Sequence, residues 1–414
     1  MSGTRPPAAP EPGGEARWQR ELREQFPIVT AHPELAYLDS AATSQKPRAV
    51  LEAVQTYLTT SNANAGRGTY PWANRTTELV ESARARVGEF LRDPDPERSG
   101  VHFTSGTTEG LRTVARDWLV PYLGDGNGNG DGGEILVPFA DHRANLDPWL
   151  EARRLLAERG VDVRVRALPY QEVSGDYEHR ALADAVGPRT RFVAATHVHH
   201  VYGGDMNVHR IRAAVGPDVP ICLDAAQSVG HLPVHLDDPA LDVDFVVFSG
   251  HKAMALPGTG AVWARNARGP VFRPAGWQGT PNTVGIVSLR AALDWLDAAG
   301  PDRIARWTAG LALRLTDRLR HLGPYEILGC PAGLAVGSPL PAAQRRHGIV
   351  TFRHRDIPSD DLGFILHSHG FMVRADGLCQ AGADPEEGAV RVSLHVYNTA
   401  EEIDRLLAVL ASLT

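Results

Sequence analysis

Cysteine is scarce: Cys222, Cys330 and Cys379 are the only three in 414 residues, and no two form a CxxC pair. That excludes a disulfide framework and a thiolate zinc site, predicts no metal, and suits a reduced, cytoplasmic protein. Nowhere do roughly 18 apolar residues run together, so no membrane helix is expected. The opening "MSGTRPPAAPEPGGEA" lacks an apolar core segment, so residues 1–17 read as a disordered leader rather than an export signal. Basic residues are not in excess either. Lys and Arg total 42 against 49 Asp and Glu, a net charge of −7, which argues against a nucleic-acid binder while leaving room for a local anion site. No internal repeat is visible.

What is present is a globular pattern. The chain exceeds the usual single-domain size, and its 43% hydrophobic content supports a substantial core. "PRAVLEAVQTYLTT" places Val50, Leu51, Val54 and Leu58 at helical spacing, and "TTELVESARARVGEFL" does so with Leu79, Ala83, Val87 and Leu91. Strand candidates then alternate with helices: "GVHFT", "EILVP", "DVRVRAL", "TRFVAATHV", "VPICLD" and "VDFVVF". This alternation predicts an α/β fold with a mostly parallel central sheet. The run "GDGNGNGDGG" reads as a surface loop. After about residue 300 a long helix, three strand-like runs and a final helix capped by Thr399 and Glu402 suggest a smaller α+β domain. The expected division is a large domain over 18–298, whose first helical segment packs on the small one, and a small domain over 299–414.

The chemistry gathers at strand ends. Lys252, in "FSGHK", follows the apolar strand "VDFVVF". A desolvated lysine there is a nucleophilic amine suited to a Schiff base; a paired core-edge ion is the plainer reading. Asp224 ends "VPICLD" and precedes "AAQ", where a helix cap is the plainer reading. Open α/β sheets bind ligands at the carboxyl ends of their strands. An amine to capture an aldehyde, and an anion to keep a pyridine nitrogen protonated, are together what pyridoxal phosphate requires. In "FTSGTTEGL" a strand passes through Gly106 into a helix opened by Thr107 and Thr108, which offers an anion site or merely a threonine cap.

The ordered set "LDSAATSQKP", "NANAGRGTY", "FTSGTTEG", "ADHRAN", "THVHHVYG", "LDAAQSVGH", "FSGHK", "GTPN" and "VRVSLHVYNT" resembles group II cysteine desulfurases and selenocysteine lyases. These are fold-type I pyridoxal-phosphate enzymes of the class V aminotransferase superfamily, and the likeness spans residues 30–414. It implies that Lys252 binds pyridoxal 5'-phosphate and moves protons, Asp224 pairs with the pyridine nitrogen, and Gln227 reaches the phenolic oxygen. His142 would stack on the ring. Thr107, Thr108, Ser249 and His251 would hold the phosphate, with Thr280 contributed across a homodimer. His200 would lie against the cofactor. Arg391 would grip the substrate carboxylate, with Ala41 and Asn398 beside the substrate. Cys379 falls where the family keeps its persulfide-forming cysteine. Cys222 reads as a core residue, and Cys330 has no motif.

Departures cluster on the substrate side. Gly377 and Leu378 replace two histidines of the cysteine loop, Gly66 replaces a histidine, and His200 stands where asparagine is usual. Only 28 positions separate Lys252 from Thr280, fewer than in typical relatives. The expected reaction is cysteine desulfuration to alanine and an enzyme persulfide, with transfer to a sulfur-acceptor protein. A β-lyase giving pyruvate and ammonia, and an epimerase or aminotransferase, are the alternatives on the same scaffold.

Overall fold

The computed structural model describes residues 14–124, 132–171, 176–177, 179–276, 280–329, 346–379 and 388–414. Residues 1–13, the 125–131 part of the glycine-rich run, and Cys330 lie outside the described residues.

Seven strands form the main sheet, in the order Gly100–Thr104, Gly260–Ala264, Phe245–Ser249, Ile221–Asp224, Thr190–Thr196, Gly133–Val137, Val163–Ala167. All neighbours in it are parallel except Gly260–Ala264, which runs antiparallel to both strands beside it. Alternation of side chains fills a core on each face. Val246 and Phe248 enter one, with Ala261 and Trp263; Phe245 and Val247 enter the other, with Val262 and Ala264. Helices cover both faces, which is the doubly wound α/β arrangement.

The six predicted strands of this sheet are present, and Gly260–Ala264 is a seventh that the sequence did not announce. Its run "GAVWA" follows Gly258 and opens on Gly260, so the glycines suggested a turn. Glycine is needed there for another reason. A Cβ on Gly260 would stand 2.4 Å from the Phe248 carbonyl and 2.7 Å from Gly106 Cα. The helix Arg48–Thr60 also corrects its predicted face: Val50 and Tyr57 are buried, whereas Leu51 is 43% and Leu58 47% exposed.

A second, antiparallel sheet has the order Tyr325–Ile327, Ile349–His354, Ala389–Ser393, Arg374–Asp376. It shares an apolar core with the helices Pro301–Leu319, Ser359–Ser368 and Ala400–Ala411. Thr399 and Glu402 form the expected capping box. The chain's first described helix, Gly14–Arg23, begins ahead of Trp18 and so takes in residues 14–17, which the sequence reading assigned to a disordered leader. It is tied to the other end of the chain: Gln19 donates to the Val396 and Asn398 carbonyls, and Arg23 pairs with Glu402 at 2.8 Å. Ala36–Tyr37 then pairs in parallel with Phe371–Met372.

Candidate active site

The carboxyl ends of three adjacent parallel strands supply Thr196, Asp224 and Ser249 to one cavity of about 260 Å³. Lys252 enters it from the turn Gly250–Lys252, immediately past the strand Phe245–Ser249. Burial pushes the Lys252 amine down to about 8, opposed by the Asp224 carboxylate and helped by Arg391 and Arg374. Burial pushes Asp224 up to about 7, while the Ala226 N–H, donating at 2.9 Å, draws it back. The plainer reading of Asp224 as a helix cap is corrected: no helix follows it, and the bond from Ala226 closes a turn. It leaves the rest of the carboxylate facing the cavity.

One end of the cavity is an anion cradle. The helix Thr107–Val114 opens there, and Thr107 N–H donates to Ser249 Oγ at 2.9 Å, with the two hydroxyls 2.8 Å apart. Gly106 precedes it at φ +151°, and a Cβ there would meet Ser249 Oγ at 3.1 Å. Thr108 and His251 complete this end. Burial, with Lys252 next door, lowers the His251 imidazole to about 4, so it meets an anion as a neutral hydrogen-bonding ring. The loop before the helix Arg48–Thr60 closes over it: the Ser44 N–H and Thr43 hydroxyl both donate to the His251 carbonyl.

His142 also lines the cavity, its Nδ1 accepting from Ala144 N–H at 3.1 Å. Burial and then Lys252 lower it to about 4. Gln227 donates to the Ala41 carbonyl at 3.0 Å, while its own Oε1 is buried without a partner. Ala41 and His200 also line the cavity. Arg391, 1% exposed in the strand Ala389–Ser393, reaches it from the second sheet. One of its arms donates to Asp39 Oδ1 at 3.0 Å and another to the His200 carbonyl at 3.3 Å; Nε is buried and unpartnered.

Three functional positions escaped the sequence reading. Asp141 sits beside His142 in "ADHRAN", buried, with Oδ1 accepting from His142 N–H at 2.6 Å. Burial pushes its carboxyl up, but His199 and His200 outweigh that and hold it well below the usual carboxylate range. Arg374 stands directly across the strands from Arg391 and lines the same cavity. Two cations opposed in this way repel, and Asp39 and Asp376 are their counter-ions. Asp39 itself lies in "LDSAAT", a motif whose only signal was its adjacency to Ala41.

Three predicted residues are not brought to the cavity. Asn398 is buried, with every polar group engaged by the chain: Nδ2 donates to the Tyr37 carbonyl and Glu402, and Oδ1 accepts from His395 N–H. It therefore fastens the chain's two ends rather than a substrate. Thr280 is exposed and absent from the cavity of its own chain. Cys379 is exposed at the cavity's rim, where Arg374 Nη2 donates to its Sγ at 3.2 Å. Cys222, by contrast, is fully buried in its strand, as read from the sequence.

Together these groups can accept an anion at the threonine end, a reactive carbonyl at Lys252, a protonated ring nitrogen at Asp224 and a carboxylate at Arg391. That geometry belongs with the match of residues 36–406 to the family model Aminotransferase class-V, and the chain belongs to that family. Its relatives narrow the branch. It is 32% identical to a cysteine desulfurase of Cronobacter sakazakii, over 94% of this chain and 96% of that protein. A probable cysteine desulfurase of Xylella fastidiosa is 30% identical, over 98% and 96%. Among solved structures, the apo cysteine desulfurase of Thermococcus onnurineus superimposes with a TM-score of 0.78 at 25% identity, covering 100% of this chain and 99% of that one. An Escherichia coli cysteine desulfurase in an S-sulfonic acid form gives 0.76 at 27%, covering 95% and 98%. Among the described residues, no helix is long and apolar enough to cross a membrane.

Proposed function

We infer that the protein is a cysteine desulfurase that works with pyridoxal 5'-phosphate and converts L-cysteine to alanine while its own cysteine takes the sulfur. The observation that carries the reading is the meeting of Lys252, Asp224 and Arg391 in one cavity, on a chain whose relatives are cysteine desulfurases. The residues fit the cofactor: the cradle at Gly106 excludes a side chain and leaves room for phosphate, and Gln227 Oε1 is a buried polar atom awaiting a partner. When bound, the cofactor supplies a sink for the electron pair left at the substrate Cα.

The chain does the rest. Arg391 holds the α-carboxylate with donors that Asp39 leaves free. Lys252, its proton weakly held, takes the Cα proton and later returns it to carbon. His142 and Asp224, both lining the cavity, are the residues that would hold the cofactor ring, His142 at its face and Asp224 at its nitrogen. Cys379 attacks the substrate sulfur; an S–S bond forms as the Cβ–S bond breaks, and the electron pair stays with carbon, which is protonated to give alanine. The sulfur then sits on an exposed side chain, open to an acceptor protein. A β-lyase on this scaffold has no use for Cys379, and the contact between Arg374 and its Sγ favours the desulfurase.

A homodimer and a cytoplasmic setting belong to the same proposal. Thr280 lies outside the cavity of its own chain, in keeping with a phosphate contact made to the partner. Tyr70 and Trp72, 51% and 60% exposed, add apolar surface for a second copy to cover. Incubation with L-cysteine tests the reading: alanine and a persulfide on Cys379 are expected, and pyruvate with ammonia would overturn it.

A further inference from the structure

His200 occupies a junction that none of the roles above explains. The residue is 4% exposed, and its ring lies between two acceptors. Nδ1 faces Asp141 Oδ1 at 3.1 Å, and Nε2 faces the Leu378 carbonyl at 3.0 Å. Burial drives the imidazole down to about 3, against the pull of Asp141, so near neutrality it carries one N–H for two acceptors. The same ring makes edge contact with His142 at 5.1 Å and stacks on His199 at 5.0 Å, and its carbonyl accepts from Arg391. Asp141 Oδ1 also receives the His142 N–H, so it keeps one donor when the His200 proton faces Leu378.

Leu378 is the residue before Cys379, and both hold left-handed backbone, at φ 52° and 57°. For residues with a Cβ that conformation is strained and persists only where neighbours fix it. Three neighbouring contacts fix it. The Leu378 side chain packs with Val201, Tyr202 and Ala389; its N–H donates to Asp376 at 2.6 Å; the Cys379 carbonyl accepts from Arg143 N–H at 3.4 Å. Arg374, on the cavity wall, reaches the Cys379 thiol, and His200, also on that wall, is the side chain that ties the Leu378 carbonyl.

We propose that His200 is the positioning residue for Cys379. With its proton on Nε2 it ties the Leu378 carbonyl and holds Cys379 at the rim beside Arg374. With the proton on Nδ1 it turns to Asp141 and lets the loop go. The tautomer thereby links the wall that holds His142 to the place of the sulfur-accepting thiol. This rests on the desulfurase reading for its purpose, though not for its geometry.

Two amides separate the ring's two jobs. The amide nitrogen of glutamine stands about where Nε2 does, and that of asparagine about where Nδ1 does. Amide hydrogen exchange of the peptide 374–379 is followed in cofactor-loaded wild type, His200→Gln, His200→Asn and His200→Ala, with the strand Thr190–Thr196 as the control for folding. The expected order is protection retained in His200→Gln, and exchange roughly three- to tenfold faster in His200→Asn and His200→Ala, the loss of one hydrogen bond. The yield of Cys379 persulfide per cysteine consumed follows the same order. Equal exchange in wild type, His200→Asn and His200→Ala overturns the proposal, as does loss in His200→Gln equal to that in His200→Ala. If the exchange order holds while neither the wild type nor any variant forms persulfide, the positioning role stands and the desulfurase reading falls.

Discussion

Asp39 takes one arm of Arg391 at 3.0 Å and leaves the guanidinium's buried Nε without a partner. The two residues come from distant parts of the chain, Asp39 beside the parallel bridge to Ser393 and Arg391 from the middle of a buried strand. A cation buried to this degree is tolerable only with a counter-ion, and Asp39 is the near one. The pair thus presents an oriented fork to an incoming carboxylate.

Arg391→Ala is expected to raise KM for the amino acid by roughly 10–100-fold, the worth of charge-assisted hydrogen bonds. Arg391→Lys should recover little, since a lysine cannot bind a carboxylate with two parallel donors. Asp39→Asn should raise KM less, with kcat nearly unchanged. Steady-state kinetics separate these cases.

Lys252→Ala is expected to bind the cofactor without attaching it, so that denaturation releases it whole and activity falls by at least ~10³-fold. In the wild-type apoprotein, the rate of attachment should rise with pH through about 8, where the buried amine loses its proton. The same shift has a sign for stability. The unfolded amine keeps its proton to 10.5 and the folded one only to about 8, so the unfolded chain binds more protons between those values. Apoprotein stability should therefore climb with pH across that window, and denaturant titrations of Lys252→Met should lack this component of the slope.

Ser249→Ala and Thr107→Val are each expected to weaken cofactor affinity by roughly tenfold, since each removes one polar contact at the anion cradle. Equilibrium titration of the apoproteins measures this. Asn398→Ala should act differently, lowering thermal stability by loosening Tyr37 and Glu402 while leaving KM unchanged.

The cofactor end of the site was legible because its motifs are contiguous in sequence. "FSGHK" and "LDAAQ" each end a fully buried apolar strand, and strand ends of a parallel sheet converge. Asp141, Asp39 and Arg374 were not legible, since their importance lies in contacts with residues distant in sequence: Asp141 with His199 and His200, Asp39 with Arg391, and Arg374 across the strands from Arg391. Asn398 misled for the opposite reason: it sits in a motif near Arg391, yet its amide is spent on Tyr37, His395 and Glu402. The strand Gly260–Ala264 was hidden by glycines that signal close approach of backbones as readily as a turn. Leu51 and Leu58 follow helical spacing but face away from the chain's own core; periodicity identifies an apolar stripe, not what covers it.

The measurement that bears most directly on the account is single-turnover reaction of L-cysteine with wild type and Cys379→Ser, both loaded with cofactor. One alanine per active site and a persulfide mapped to Cys379 are expected in the wild type, and neither in the variant, whose cofactor binding is expected to be unchanged. Pyruvate and ammonia formed equally by both proteins would contradict it.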